Sequence, residues 1–250
     1  MMKKLIWTAA AVASTLFAGA AAAQDAADVQ GAYVELRGGI ASVKNVDVGY
    51  FDAGGTFGGT GTRDTATFDV DFKDAFAFGG TIGYDFGMIR ADVQVDYARN
   101  RTKQFTLRAI NNQAVTITPA IRQDVCDYLD TTACGGSGNS FTYEDDHLRQ
   151  LSALANLWLD IPTGSIVTPY VGGGAGLAGY ELGGEGKARF AWQLGAGVSV
   201  DLNRSVALAI DYRRRQTNGA TITDEDSSNA GVTIGKVKTD TISAGLRFRF

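Results

Sequence analysis

Along residues 238–250 apolar and polar positions take turns. Ile242, Ala244, Leu246, Phe248 and Phe250 fall on one side, and Thr241, Ser243, Gly245, Arg247 and Arg249 on the other. A period of two marks a β-strand with two unlike faces. The pattern recurs upstream. Phe190, Trp192, Leu194, Ala196, Val198, Val200 and Leu202 oppose Ala191, Gln193, Gly195, Gly197, Ser199 and Asp201. Val206, Leu208, Ile210 and Tyr212 oppose Ala207, Ala209, Asp211 and Arg213, and Ile89, Ala91, Val93, Val95 and Tyr97 oppose Arg90, Asp92, Gln94 and Asp96. Segments at residues 31–43, 70–86, 147–161 and 165–180 bring the set to about eight, each near or above the roughly 9 to 11 residues that cross a bilayer as tilted β-structure.

The connections sort by parity. Short ones lie at Gly87, at 162–164 and at Asn203 to Arg204, whereas long ones run over residues 44–69, 101–146, 181–186 and 214–237. A soluble sandwich has no reason to alternate its loops in this way, while a membrane barrel has tight turns at one end and large loops at the other. In hydrocarbon an open sheet edge would leave backbone N–H and C=O groups unpaired, so the sheet has to close. The predicted fold is all-β, a closed antiparallel up-and-down barrel of eight strands. A lumen of that size holds little beyond side chains. Glu35, Arg37, Arg90, Asp92, Asp96, Asp211, Arg213, Arg247 and Arg249 fall opposite the apolar stripe, which predicts an internal network of paired charges, since buried charge persists only when paired. Tyr33, Phe72, Phe76, Phe86, Tyr97, Trp158, Tyr170, Tyr180, Phe190, Trp192, Tyr212, Phe248 and Phe250 gather near strand ends, as aromatic residues at a membrane interface do.

Composition agrees: 32 glycines, 3 prolines, 13 Phe and 9 Tyr favour short turns and strands, and a 45% hydrophobic share is too low for a helical membrane protein. Lys3 and Lys4, the apolar stretch from Leu5 to Gly19 and the small residues Ala21, Ala22 and Ala23 read as a cleavable secretory leader over 1–23, leaving 24–250 as the mature barrel domain. A formal charge of -4 argues against a nucleic-acid partner. Cys126 and Cys134 suit an oxidising compartment, and a disulfide fits them better than a metal, because neither further cysteines nor histidines stand nearby.

The run Pro169-Tyr170-Val171-Gly172-Gly173-Gly174-Ala175-Gly176-Leu177-Ala178, followed by Phe190-Ala191-Trp192-Gln193-Leu194-Gly195-Ala196-Gly197-Val198, resembles the outer membrane protein beta-barrel family of small surface antigens and opacity-type proteins. The resemblance covers nearly the whole mature chain. It implies a bacterial outer-membrane location, contact with lipid and lipopolysaccharide, and a C-terminal assembly signal at Leu246, Phe248 and Phe250 read by the barrel-assembly machinery. It is specific for architecture and weak for activity.

Catalytic and cofactor readings fare poorly. Gly174, Gly176 and Gly179 spell a dinucleotide fingerprint, yet no helix pattern follows, so crowding between strands and lumen side chains accounts better for them. His147, the single histidine, has Glu144, Asp145 and Asp146 beside it, but Arg149 stands where rim lipid hydrolases carry serine, and Ser152 has the opposite parity. The acidic groups Glu144, Asp145, Asp146 and Asp224, Glu225, Asp226 lack the spacing of a calcium loop. The sequence reading is therefore a monomeric surface protein without enzymatic activity, cofactor or metal. Its loops, including the one carrying the cysteines and residues 216–237, would meet a host or envelope ligand. A narrow porin-like channel is the alternative, and a rim hydrolase the third reading.

Overall fold

A computed structural model describes residues 30–250 apart from 57, 129–134, 143–146, 183–184 and 224–228. The proposed leader, Cys134, Glu144, Asp145, Asp146 and Asp224 to Asp226 lie outside the described residues. In chain order the elements are β1 (Gly31–Val43), β2 (Val46–Ala53), β3 (Arg63–Phe72), β4 (Ala75–Asp85), β5 (Ile89–Ile110), β6 (Gln113–Ala114), α1 (Pro119–Tyr128), β7 (Ser140–Thr142), β8 (His147–Asp160), β9 (Val167–Leu182), β10 (Glu185–Asp201), β11 (Val206–Thr217), β12 (Ala220–Thr223), β13 (Gly231–Ile234) and β14 (Val237–Arg249).

Eight of these strands close a ring in the order β1-β4-β5-β8-β9-β10-β11-β14 and back to β1, every neighbour antiparallel. The seam between first and last strands runs from Tyr33↔Arg249 to Val43↔Thr239. Alternation assigns the faces: along β8 every second residue is buried and, after the half-buried His147, the rest are exposed. The outward row keeps large apolar side chains such as Leu36, Phe76, Ile82, Val93, Leu157 and Ile242 largely uncovered, a surface suited to lipid. Tight turns close the end at which Gly31 and Phe250 lie. Gly87 and Gly164 take φ of 102° and 69° there, a left-handed region that glycine enters freely, and Asn203 accepts the Ser205 and Val206 amides at 2.9 Å.

The opposite end departs from the sequence reading. The connections read at 44–69, 101–146 and 214–237 contribute a second sheet, in the order β12-β13-β2-β3-β5, with β6 and β7 added to the far part of β5, whereas the one read at 181–186 shortens because β9 runs to Leu182 and β10 starts at Glu185. β5 belongs to both sheets: residues 90–98 pair with β4, and residues from Thr102 on pair with β3. The segment read as one strand over 70–86 is two. Val70 to Phe72 end β3, and the barrel strand starts at Ala75 after Lys73 and Asp74. The connection 214–237 likewise shrinks, because β11 runs to Thr217 and the remainder forms β12 and β13. α1, which alternation cannot reveal, begins with Pro119 in the first turn, and Thr118 Oγ1 accepts the Ile121 amide at 3.3 Å.

Two apolar cores hold the second sheet. One joins inward residues at the ends of ring strands (Val43, Leu148, Tyr180, Val237) to Val46, Val70, Phe72, Ala220, Ile222 and Ile234. The other packs Cys126 of α1 against Ala66, Leu107 and Phe141.

Candidate functional site: a polar lumen beneath an apolar cap

Because inward positions alternate with lipid-facing ones, the ring strands deliver their polar residues to one enclosed space. All nine charged residues expected there point inward. Glu35 accepts from Arg247 at 2.9 and 3.0 Å and lies 3.4 Å from Arg37 and 3.9 Å from Arg213. Asp211 accepts from Arg213 at 2.7 and 3.1 Å, from Tyr170 at 3.0 Å and from Ser243 at 2.7 Å. Asp96 accepts from Arg37 Nε at 3.1 Å. Towards the end with the short turns, Arg90 grips Asp160 with two bonds of 2.6 and 2.8 Å, and Arg249 reaches Asp201 at 2.8 Å. The bidentate geometry matches the guanidinium fork to the carboxylate plane, the arrangement that best offsets the cost of dehydrating both charges.

Asp92 is held differently. Its carboxylate accepts from three neutral donors: Tyr33 at 2.7 Å, Trp158 Nε1 at 2.9 Å and Asn156 at 2.6 Å. An amide layer continues from it. Gln193 donates to Asn156 at 2.6 Å and to Gln94 at 2.8 Å, and Gln94 in turn accepts from Arg213 and donates to Asp96. Closer to the cap, Arg215 donates to Ser152 at 2.6 Å and Gln150 at 3.1 Å, and Thr239 adds 2.9 Å to Gln150. A residual cavity of about 30 Å³, room for one or two waters, is bordered by Arg37, Gln94, Asp96, Gln193, Arg213 and Arg215. Above it the apolar cluster of the second sheet covers the mouth.

Several aromatics correct the sequence reading. Tyr33, Trp158 and Tyr170 are 1–2% exposed inside the lumen, and Tyr180 and Phe72 belong to the cap. Their parity decides this: Tyr33 shares a face with Glu35 and Arg37, and Trp158 with Asn156. Inside, the rings stack on cations, with Arg213 4.9 Å over Trp158, and Arg90 4.9 Å over Tyr170. Phe76, Phe86, Phe190, Tyr212, Phe248 and Phe250 do face outward. Glycine makes room for the rings. A Cβ at Gly83 would stand 2.7 Å from Tyr33 Cζ, and one at Gly197 2.7 Å from Tyr170 Cζ.

The dinucleotide-like glycines lie in β9, a strand with no helix after it. Cβ atoms at Gly174 and Gly176 would collide with Asn156, with the Ala155 carbonyl and with the Ala153 carbonyl, whereas Gly179 faces outward with its nearest neighbour 3.8 Å away. Crowding thus explains two of the three. His147 begins β8, half-buried on the outward parity, while Ser152 is 1% exposed inside the lumen and bound to Arg215. The hydrolase constellation is not assembled from these residues. Among the described residues no group of His, Cys, Asp and Glu gathers with metal-ligand geometry. Cys126 is buried in α1. Leu246, Phe248 and Phe250 face outward at the closing seam, where the Phe250 amide donates to the Ala32 carbonyl at 2.9 Å.

Known proteins are similar to this chain in sequence and in structure. A family model described as "Outer membrane protein beta-barrel domain" matches residues 9–250. An uncharacterised protein of Brucella abortus is 27% identical over 226 residues, covering 76% of this chain and 74% of its own. Among solved structures, Neisserial surface protein A is similar at 20% identity and a TM-score of 0.43, with 88% of this chain and 97% of that one covered. OprG of Pseudomonas aeruginosa is similar at 14% identity and a TM-score of 0.48, with 90% and 100% covered.

Proposed function

The chain belongs to the outer membrane protein beta-barrel domain family, which places it in the bacterial outer membrane, and from that premise we propose a non-conducting surface protein whose barrel anchors a folded outer sheet for contact with envelope or external ligands. The observation that carries this reading is the double closure of the lumen: paired charges and amides fill it, and an apolar cluster lies across its mouth. An ion would have to break salt bridges in a dehydrated interior and then pass between packed valines and isoleucines. Reconstitution in a planar bilayer tests it. The expected record is silent. A steady single-channel current that changes with Arg90 or Arg213 substitutions would establish the narrow-channel alternative instead.

The reading includes no catalysis, supported by the separation of His147 from Ser152. It includes a monomer, because the ring closes on itself by the pairing of β1 with β14 of the same chain. A leader removed after Ala23 is part of it, checked by a mature N-terminus at Gln24. The outward row Leu246, Phe248 and Phe250 supports recognition by the assembly machinery, and truncation of Phe250 should lower the yield of heat-modifiable barrel. A disulfide from Cys126 to Cys134 would staple α1 to its loop, and the mass after alkylation with and without reductant reads it directly. Deleting residues 122–143 should abolish ligand contact and spare the barrel.

A further inference from the structure

We propose that the lumen holds a small monovalent anion of halide size, bound at the guanidinium of Arg215 beneath the apolar cap. Five inward arginines each have a carboxylate within 3.1 Å: Arg37 has Asp96, Arg90 has Asp160, Arg213 has Asp211, Arg247 has Glu35 and Arg249 has Asp201. Arg215 stands apart. It is 8% exposed and donates to two neutral oxygens, those of Ser152 at 2.6 Å and Gln150 at 3.1 Å. Its Nε is buried with no hydrogen-bond partner among the described residues. A guanidinium keeps its proton, so its burial has to be answered by a counter-charge and not by neutralisation.

The charges nearby leave one cation over. Glu35, Asp96 and Asp211 are already engaged by Arg37, Arg213 and Arg247, and Arg215 has no carboxylate left to it. Asp92 does not make up the difference: neutral donors hold it on the other side of the amide layer of Asn156, Gln193 and Gln94, and it does not border the cavity. Space lies beside the unpaired cation. The cavity of about 30 Å³ borders Arg215, and Ala41, Ala77 and Ala98, packed together on β1, β4 and β5, form another part of its wall. Since β5 lies across the ring from β11, which carries Arg215, the small side chains of one wall keep open the space that the arginine faces. Room for one or two waters is room for a bare halide and not for a bulky organic anion. The unused Nε–H offers the anion a charge-assisted donor, and Arg37 and Arg213 on the same cavity add positive potential.

The probe is bromide. Crystals of the folded barrel grown in bromide should give an anomalous peak in this cavity beside Arg215. A cavity without the peak, or bromide found at exposed cations alone, overturns the proposal and leaves water as the partner of Nε. In solution, the unfolding equilibrium is compared in bromide and in gluconate at equal ionic strength. At ten times its Kd the halide should favour the folded state about tenfold, and gluconate should give no such shift. Arg215→Gln removes the unpaired charge, and Ala98→Asp puts a carboxylate on the cavity wall. Each should lose the peak and the halide dependence, with heat-modifiable migration showing that the barrel has formed. In gluconate Arg215→Gln should unfold no more readily than the unaltered protein, because the charge it removes lacks a counter-ion there. Halide dependence that persists in either variant, or an equal loss of stability by Arg215→Gln in both salts, would show that Arg215 acts through its bonds to Ser152 and Gln150 alone.

Discussion

The ring and the outer sheet are built from the same strand geometry and even share β5, yet their faces are ordered in opposite senses. In the ring, charge and amide groups turn inward and large apolar side chains outward; in the outer sheet, Ile222, Ile234, Val46 and Val70 turn towards the cap, and polar groups such as Thr221 and Thr233 face out. The ring is closed, whereas the outer sheet has a free edge at β12. The difference follows from the surrounding medium. Lipid rewards apolar surface and forbids unpaired backbone, while water tolerates an edge and drives apolar groups together. One chain therefore switches its folding logic within a few residues, where Tyr97 gives way to Arg99.

The comparison breaks hardest at Glu35. Glu35→Gln leaves Arg247, Arg37 and Arg213 without the carboxylate they surround, and removing one member of a buried charge cluster costs about 3–5 kcal/mol. Denaturant unfolding in lipid vesicles should show that loss in the ring. An unchanged midpoint would mean that water, not the carboxylate, compensates these arginines.

A matched pair of substitutions sharpens the role of the medium. Val93→Arg puts a charge on the lipid face near mid-ring and should cost about 2–4 kcal/mol, whereas Thr233→Arg, on the exposed face of β13, should stay within about 0.5 kcal/mol. If both sites tolerate arginine equally, the exposed apolar belt is not facing hydrocarbon.

How far this arrangement was legible in the sequence depended on the same media. Period-two alternation is strong where one face meets lipid, so the ring strands and nine of the inward charges could be read from parity, and closure followed from the cost of an open edge in hydrocarbon, whereas Asp160 and Arg215 joined the network unannounced. Parity also held the information about Tyr33 and Trp158, but their clustering near strand ends suggested an interface, and the polar neighbours Glu35 and Asn156 on the same face were the better guide. The outer sheet was obscured because β12 and β13 have four residues each, too few for alternation to stand out from a polar loop. Its partners, moreover, come from connections far apart in sequence, as in the pairing of Gly231 with Phe51. Local pattern carries no record of such long-range choices. Gln94, Gln150, Asn156 and Gln193 were likewise on inward faces, but neutral amides do not announce a network until their partners are in place.

Within the ring, neutral donors matter as well as ions. Trp158→Phe keeps the aromatic shelf under Arg213 but removes one of the three bonds to Asp92, whose remaining donors are Tyr33 and Asn156. A dehydrated acceptor losing one bond costs about 1–3 kcal/mol. The unfolding midpoint should shift by less than for Glu35→Gln, and no shift would show that Asp92 recruits water from the lumen.

The smallest effect asks whether the two sheets are mechanically separate despite sharing β5. Asn111 and Asn112 close the β5–β6 hairpin with φ of 51° and 61°, a left-handed pair that asparagine tolerates and alanine does not. Asn112→Ala should therefore cost about 1 kcal/mol, and Asn112→Gly close to nothing. Asn111 also ties the turn to β3 by donating its amide to Thr65 at 2.8 Å and accepting the Thr65 amide at 2.9 Å, so strain at the turn should loosen β3, β6 and the far part of β5. Hydrogen exchange should quicken at residues 102–110 while residues 90–98, clamped between β4 and β8, keep their protection. Because a β-ladder transmits displacement through paired neighbours more than along its own strand, faster exchange that spread to residues 90–98 would show the ring and its outer sheet to be one cooperative unit.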